Sequence, residues 1–209
     1  MGVLGAFKVR MNTLAIVLIP VCIAINWAGH ALATALKLPL FLDSIGTVLG
    51  GILAGPWVGG IAGLITNFIS SGTVDPIAAP YSIISLAIGV AAGIGGYYGW
   101  HKTWPGRVAL YVLIVLVASI GSTPLNIFLY KGQSGVLLGD SIYAALVHGG
   151  WPTWLASYID EATGDIPDKL ITVAVAIAIF EGLPNRFRNL FSLFRRPDDE
   201  VEAAPAPSI

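Results

Sequence analysis

Apolar residues run almost unbroken from residue 12 to about residue 36, and runs of the same character recur along most of the chain. An α-helix needs about 17–25 such residues to cross the hydrocarbon core of a bilayer. Composition agrees. Hydrophobic residues make up 56% of the 209 residues and charged ones 11%, and the mean hydropathy is +0.79. A soluble domain carries about 25% charged residues to cover its water-facing surface. The chain therefore reads as an all-α integral membrane protein. It is multi-pass, with the lipid bilayer as its first partner. Net charge is −1, so nothing points to nucleic acid.

Six spans are expected, at about 12–36, 38–55, 57–72, 81–100, 107–130 and 168–185. The first run is too long for the apolar region of a secretory signal. The second and third spans are short, and only Gly55-Pro56-Trp57 separates them. Proline disfavours helix at the residue before it, so this pair reads as a tight helical hairpin. Segment 134–164 is interrupted by Asp140, His148, Gly149, Gly150 and Pro152. It reads as a long outer loop between the fifth and sixth spans, with short helical or re-entrant pieces.

Charge sets the orientation. With the N-terminus inside, the cytoplasmic segments hold Lys8, Arg10, Lys102, Arg107, Arg186, Arg188, Arg195 and Arg196, and the outer ones only Lys37, Lys131 and Lys169. That is the positive-inside bias, and it puts both termini in the cytoplasm. Residues 1–190 form the membrane domain and 191–209 a largely disordered cytoplasmic tail. At their junction, residues 185–196 mix phenylalanines and leucines with arginines, as an interfacial amphipathic helix does.

The polar residues concentrate at one depth. Asn26 and His30 lie toward the outer end of the first span. Asp43, Ser44 and Thr47 open the second. Thr66 and Asn67 lie near the outer end of the third, Ser82 and Ser85 begin the fourth, Ser119, Ser122, Thr123 and Asn126 end the fifth, and Asp168, Lys169 and Thr172 open the sixth. The inner halves are mostly Val, Ile, Leu, Ala and Gly. Unpaired polar groups in lipid cost several kcal/mol each. These groups are therefore expected to face one another or a wet pocket that opens outward above an apolar plug.

Asp43 is placed about five residues into its span, where a carboxylate is a functional candidate by default. It would share a helix face with Thr47; the plainer role is service to the helix dipole. Asn67 and Asn126 either bind solute or clamp helices. Asn26, His30 and Ser85 complete the candidate pocket. His148, Trp151 and Trp154 would form an aromatic cover. Glycines 51, 55, 59 and 63, with 89 and 93, recur every four residues; they serve internal packing or a docking face. Cys22 reads as a small core residue. No cofactor or metal-ligand motif is present. Residues 93–99 lack the Lys-Ser/Thr pair of a P-loop, so no means of hydrolysing ATP is visible.

The block Phe41-Leu42-Asp43-Ser44-Ile45-Gly46-Thr47, continuing through Gly55-Pro56-Trp57-Val58-Gly59-Gly60 to Thr66-Asn67, resembles the membrane substrate-binding subunits (S components) of energy-coupling factor (ECF) transporters. The likeness is strongest over 38–72. It implies a six-helix subunit in the cell (cytoplasmic) membrane of a prokaryote that binds a vitamin or related micronutrient near the outer face. It also implies three partners: a transmembrane coupling subunit and two cytoplasmic ATPase subunits. Members of that family often dock the coupling subunit through an Ala-xxx-Ala motif in the first helix. The nearest match here is Ala24 and Ala28, which sit farther toward the outer end.

The leading expectation is thus a high-affinity binder of a small polar, flat solute, and not an enzyme. The alternative is a stand-alone oligomeric channel or facilitator. Asp43, His30, Asp160, Glu161 and His148 are the only material for acid–base chemistry, and their spacing matches no catalytic motif.

Overall fold

The computed structural model describes residues 4–7 and 13–191. Among these the chain is all-helical, without a strand. The helices are α1 Leu4–Phe7, α2 Thr13–Ala35, α3 Ile45–Ala54, α4 Pro56–Ser71, α5 Ser82–Tyr97, α6 Trp104–Tyr130, α7 Leu137–His148, α8 Thr153–Gly182 and α9 Asn185–Leu190. Three are long and apolar enough to cross a membrane: α2, α5 with the 3-10 turn Ala79–Tyr81 before it, and α6. This is the profile of a multi-pass membrane protein. Ile16, Val17, Ile120 and Leu170 point outward from α2, α6 and α8, where a bilayer rather than water would solvate them.

α3 and α4 form the hairpin anticipated at Gly55-Pro56. Gly55 sits at φ 100°, a conformation only glycine adopts without strain. Pro56 then occupies the first turn of α4, where its missing N–H is no loss. The spaced glycines serve internal packing. A methyl group on Gly89 would strike the backbone of Gly59 and Gly60, and one on Gly51 would meet Gly93 and Ala92. Helices α3, α4 and α5 approach this closely because no side chain separates them.

Three expectations need correction. The second span was expected over 38–55, but the helix occupies only Ile45–Ala54, about 15 Å at 1.5 Å per residue. Residues 36–44 are an irregular strap with left-handed φ at Lys37 (53°) and Leu42 (49°). Asp43 therefore precedes the helix and shares no helical face with Thr47. The long loop at 134–164 is instead mostly helix: α7 and the first part of α8 fill it. The sixth span does not open at 168, because α8 runs unbroken from Thr153 through Pro167. Polar spacing explains the miss, since the buried face of α8 in this region carries charge instead of apolar residues.

One end of the bundle is apolar. Val48, Leu49, Ile52, Ala92, Leu110, Ile114, Val173, Ala176 and Ile177 form a continuous buried cluster there. α9 covers part of the expected interfacial helix. Lys8, Arg10, Arg195, Arg196 and the 197–209 tail lie outside the described residues.

Candidate functional site

The other end is polar, and its organising element is α8. Ser157, Glu161, Asp165, Asp168 and Thr172 are all buried at spacings of four, four, three and four, so they line one face of the helix. Lys169, one residue beyond Asp168, turns its ammonium back into the same region. Its Nζ lies 2.6 Å from Asp168 Oδ2, 3.6 Å from Asp43 Oδ1 and 3.8 Å from Asp165 Oδ1, and it donates to Ser44 Oγ at 3.2 Å. One buried cation thus serves three carboxylates. Such a cluster persists in a low-dielectric interior only because the remaining lone pairs are also met. Asp168 Oδ1 accepts the N–H groups of Phe41 and Leu42 at 2.9 and 2.8 Å. Asp165 Oδ2 accepts from Ser119 Oγ at 2.8 Å.

The strap of residues 36–44 is fastened by this cluster. Leu42 holds a left-handed backbone that a β-carbon disfavours, and the Asp168 carboxylate takes the two N–H groups that lead into that kink. A second fastening lies at 134–136. Ser134 donates its hydroxyl to Asp160 Oδ1 at 2.6 Å, and Asp140 Oδ1 accepts the Ser134 and Gly135 N–H groups at 3.1 and 3.2 Å.

Between these two loops and the helices lies a cavity of about 590 Å³. Its polar lining includes His30, Asp43, Asn67, Ser85, Ser122, Glu161, Asp165 and Lys169. Its apolar lining includes Phe41, Ile77, Tyr81, Ile84, Ile88 and Val136. That mixture of apolar wall and a few placed polar groups is typical of small-molecule sites. Ile88 and Ala118 line the chamber and also belong to the packed apolar cluster, so the two adjoin there.

The candidate residues sort into three groups. His30, Asp43, Asn67 and Ser85 line the cavity. Asn67 donates to Ser85 at 2.9 Å, and His30 Nε2 faces Asp75 at 3.9 Å. Asn26, Thr47 and Asn126 lie behind it as clamps. Asn26 Oδ1 accepts the Gly46 and Thr47 N–H groups at 2.6 and 3.1 Å, and its Nδ2 donates to Thr47 and Thr66 hydroxyls at 2.8 and 3.0 Å. Asn26 so caps the start of α3 from a different helix, meeting donors that any helix N-terminus leaves open. Asn126 accepts from the Tyr81 hydroxyl and donates to Glu161 Oε2 at 2.7 Å. His148, Trp151 and Trp154 form the third group. They sit exposed around the turn between α7 and α8 and do not line the cavity. The strap of residues 36–44 covers the chamber where those aromatics were expected to. Ala24 and Ala28 are exposed on the outward side of α2.

Sequence reasoning set Asp168 and Lys169 among the polar residues of the sixth span without giving either a place in the pocket, and it missed Glu161 and Asp165 as lining residues. The signal was present in the helical spacing of the polar residues across 157–172.

Comparison with known proteins gives no matching family model, no similar curated protein and no similar solved structure. The geometry alone therefore carries the functional reading. The block from Leu42 to Asn67 has a physical account of its own. Gly46 lets α3 meet the Cys22 backbone, Thr47 and Thr66 engage Asn26, and Asn67 engages Ser85. It is the unit that fixes α2, α3, α4 and α5 around the chamber.

Proposed function

We propose that the chain captures a small solute in this cavity and is the solute-binding membrane subunit of an ECF-type importer. The supporting observation is the one-sidedness of the chamber: polar residues from five helices and three loops surround it, and packed apolar side chains close its floor. A protein so built holds a solute without offering it a path through. Delivery then requires partners, namely a transmembrane coupling subunit and two cytoplasmic ATPases. The exposed Ala24 and Ala28 are the proposed docking strip on α2.

In this reading the six crossings are α2, the strap with α3, α4, α5, α6 and α8. The polar end faces outward and both termini face the cytoplasm of a prokaryotic cell. The charge balance supports that orientation. Lys169 is buried in the bundle, which leaves Lys37 and Lys131 as the outer loop cations. The solute is of vitamin or micronutrient size, since about 590 Å³ lies within the range of small-molecule pockets.

Native mass spectrometry of the detergent-purified protein tests the capture step. One small molecule retained per chain is expected. Co-expression with coupling subunits should then give ATP-dependent uptake of that molecule. A protein that carries no solute, and that moves solutes across proteoliposomes without ATP or partners, would instead be a facilitator.

A further inference from the structure

Around the chamber, negative charge outnumbers positive. Asp43, Asp75, Glu161 and Asp165 line it, against Lys37, Lys169 and His30, whose Nε2 faces Asp75 at 3.9 Å. Lys169 is already shared among Asp43, Asp165 and Asp168, and Lys37 is solvent-exposed.

Glu161 is the carboxylate left over. It is 6% exposed, and its Oε2 accepts from Asn126. Its Oε1 has no hydrogen-bond partner and Glu161 has no ion-pair partner among the described residues. A buried carboxylate is normally satisfied by several partners. A half-satisfied one on the wall of a chamber is placed to receive a donor from an occupant.

The aromatic lining favours the same kind of occupant. Phe41 and Tyr81 line the chamber, and the Phe41 ring already has the Lys169 ammonium 5.8 Å from its centre. Tyr81 is braced by a stacked contact with Tyr130, centroids 6.1 Å apart and planes within 11°. The faces of such rings attract cations and stack on flat apolar groups. No His, Cys, Asp and Glu side chains among the described residues are grouped as a metal-ion site, and the chamber is far larger than an ion.

We propose that the cavity takes a flat organic cation, an amine, amidine or ring-nitrogen cation, whose positive group seats on the free oxygen of Glu161. This rests on the capture function proposed above and assigns its solute class. Lys169 holds the neighbouring carboxylates in place, so Glu161 is the group that reads the charge.

The test uses the full chain purified in detergent and a matched series of flat probes: benzamidine, benzamide and benzoate, carrying one positive, no and one negative charge. Benzamidine is expected to raise the melting temperature, with benzamide and benzoate far behind. E161Q is expected to weaken benzamidine binding about thirtyfold or more, the scale for removing one member of a buried charged pair. Gln keeps an acceptor for Asn126, and the wild-type series decides the matter even where the variant folds poorly. The solute that co-purifies with the wild type should likewise be cationic. Benzamide or benzoate stabilising as well as benzamidine, or a neutral or anionic co-purifying solute, overturns the cation assignment and leaves capture standing. No probe binding and no retained solute overturns both.

Discussion

The carboxylate of Asp168 accepts the backbone N–H of Leu42 at 2.8 Å, joining α8 to a strap 126 residues away in the chain. The other oxygen of the same carboxylate holds the Lys169 ammonium. One side chain therefore sets both the shape of the cavity's cover and the charge balance of its wall.

Removing that charge should loosen the cover. D168N is expected to destabilise the protein by about 3–5 kcal/mol, the range for breaking a buried ion pair from one side. Hydrogen exchange read by mass spectrometry should rise at Phe41 and Leu42. D43N should do much less, because Asp43 is partly solvated and its contact with Lys169 is 3.6 Å. Equal losses in the two variants would refute the anchor role of Asp168.

Asn26 offers a test of packing apart from the cavity wall. N26A strips four hydrogen bonds and leaves the first N–H groups of α3 without acceptors. A loss of about 2–4 kcal/mol is expected, since unsatisfied buried groups each cost about 1–3 kcal/mol. Thermal unfolding in a mild detergent measures it. An unchanged melting temperature would remove Asn26 from the frame.

Two glycine substitutions should diverge. G89A places a methyl group inside the backbone of α4 and should cost at least about 1–3 kcal/mol through overpacking. G182A meets nothing within 4 Å and ends α8, so it should be neutral or stabilise by up to about 1 kcal/mol. Melting temperatures of the two variants, measured side by side, separate close helix approach from a general intolerance of alanine.

At the apolar end, Arg107 pairs with Glu181, whose side chain is about half exposed. E181Q is expected to change stability by less than about 1 kcal/mol, as solvated ion pairs do. A loss as large as that of D168N would mean that this pair is shielded from solvent, for example by lipid headgroups.

What the sequence determined by itself is local. Long apolar runs specify membrane helices because a backbone in lipid must satisfy its own hydrogen bonds. Gly55-Pro56 breaks α3 from α4 through the φ freedom of one residue and the fixed φ of the next. The gathering of polar residues toward one end was legible from hydropathy along each run. Tertiary structure decided how those residues divide the work. Asn26 and Asn126 became clamps, Asn67 and Asp43 became wall, and the charged face of α8 replaced an expected loop. Helical periodicity fixes only which residues share a face. Whether a carboxylate meets an ammonium, a backbone N–H or an empty chamber depends on elements more than a hundred residues apart, and only their packing brings these within bonding distance.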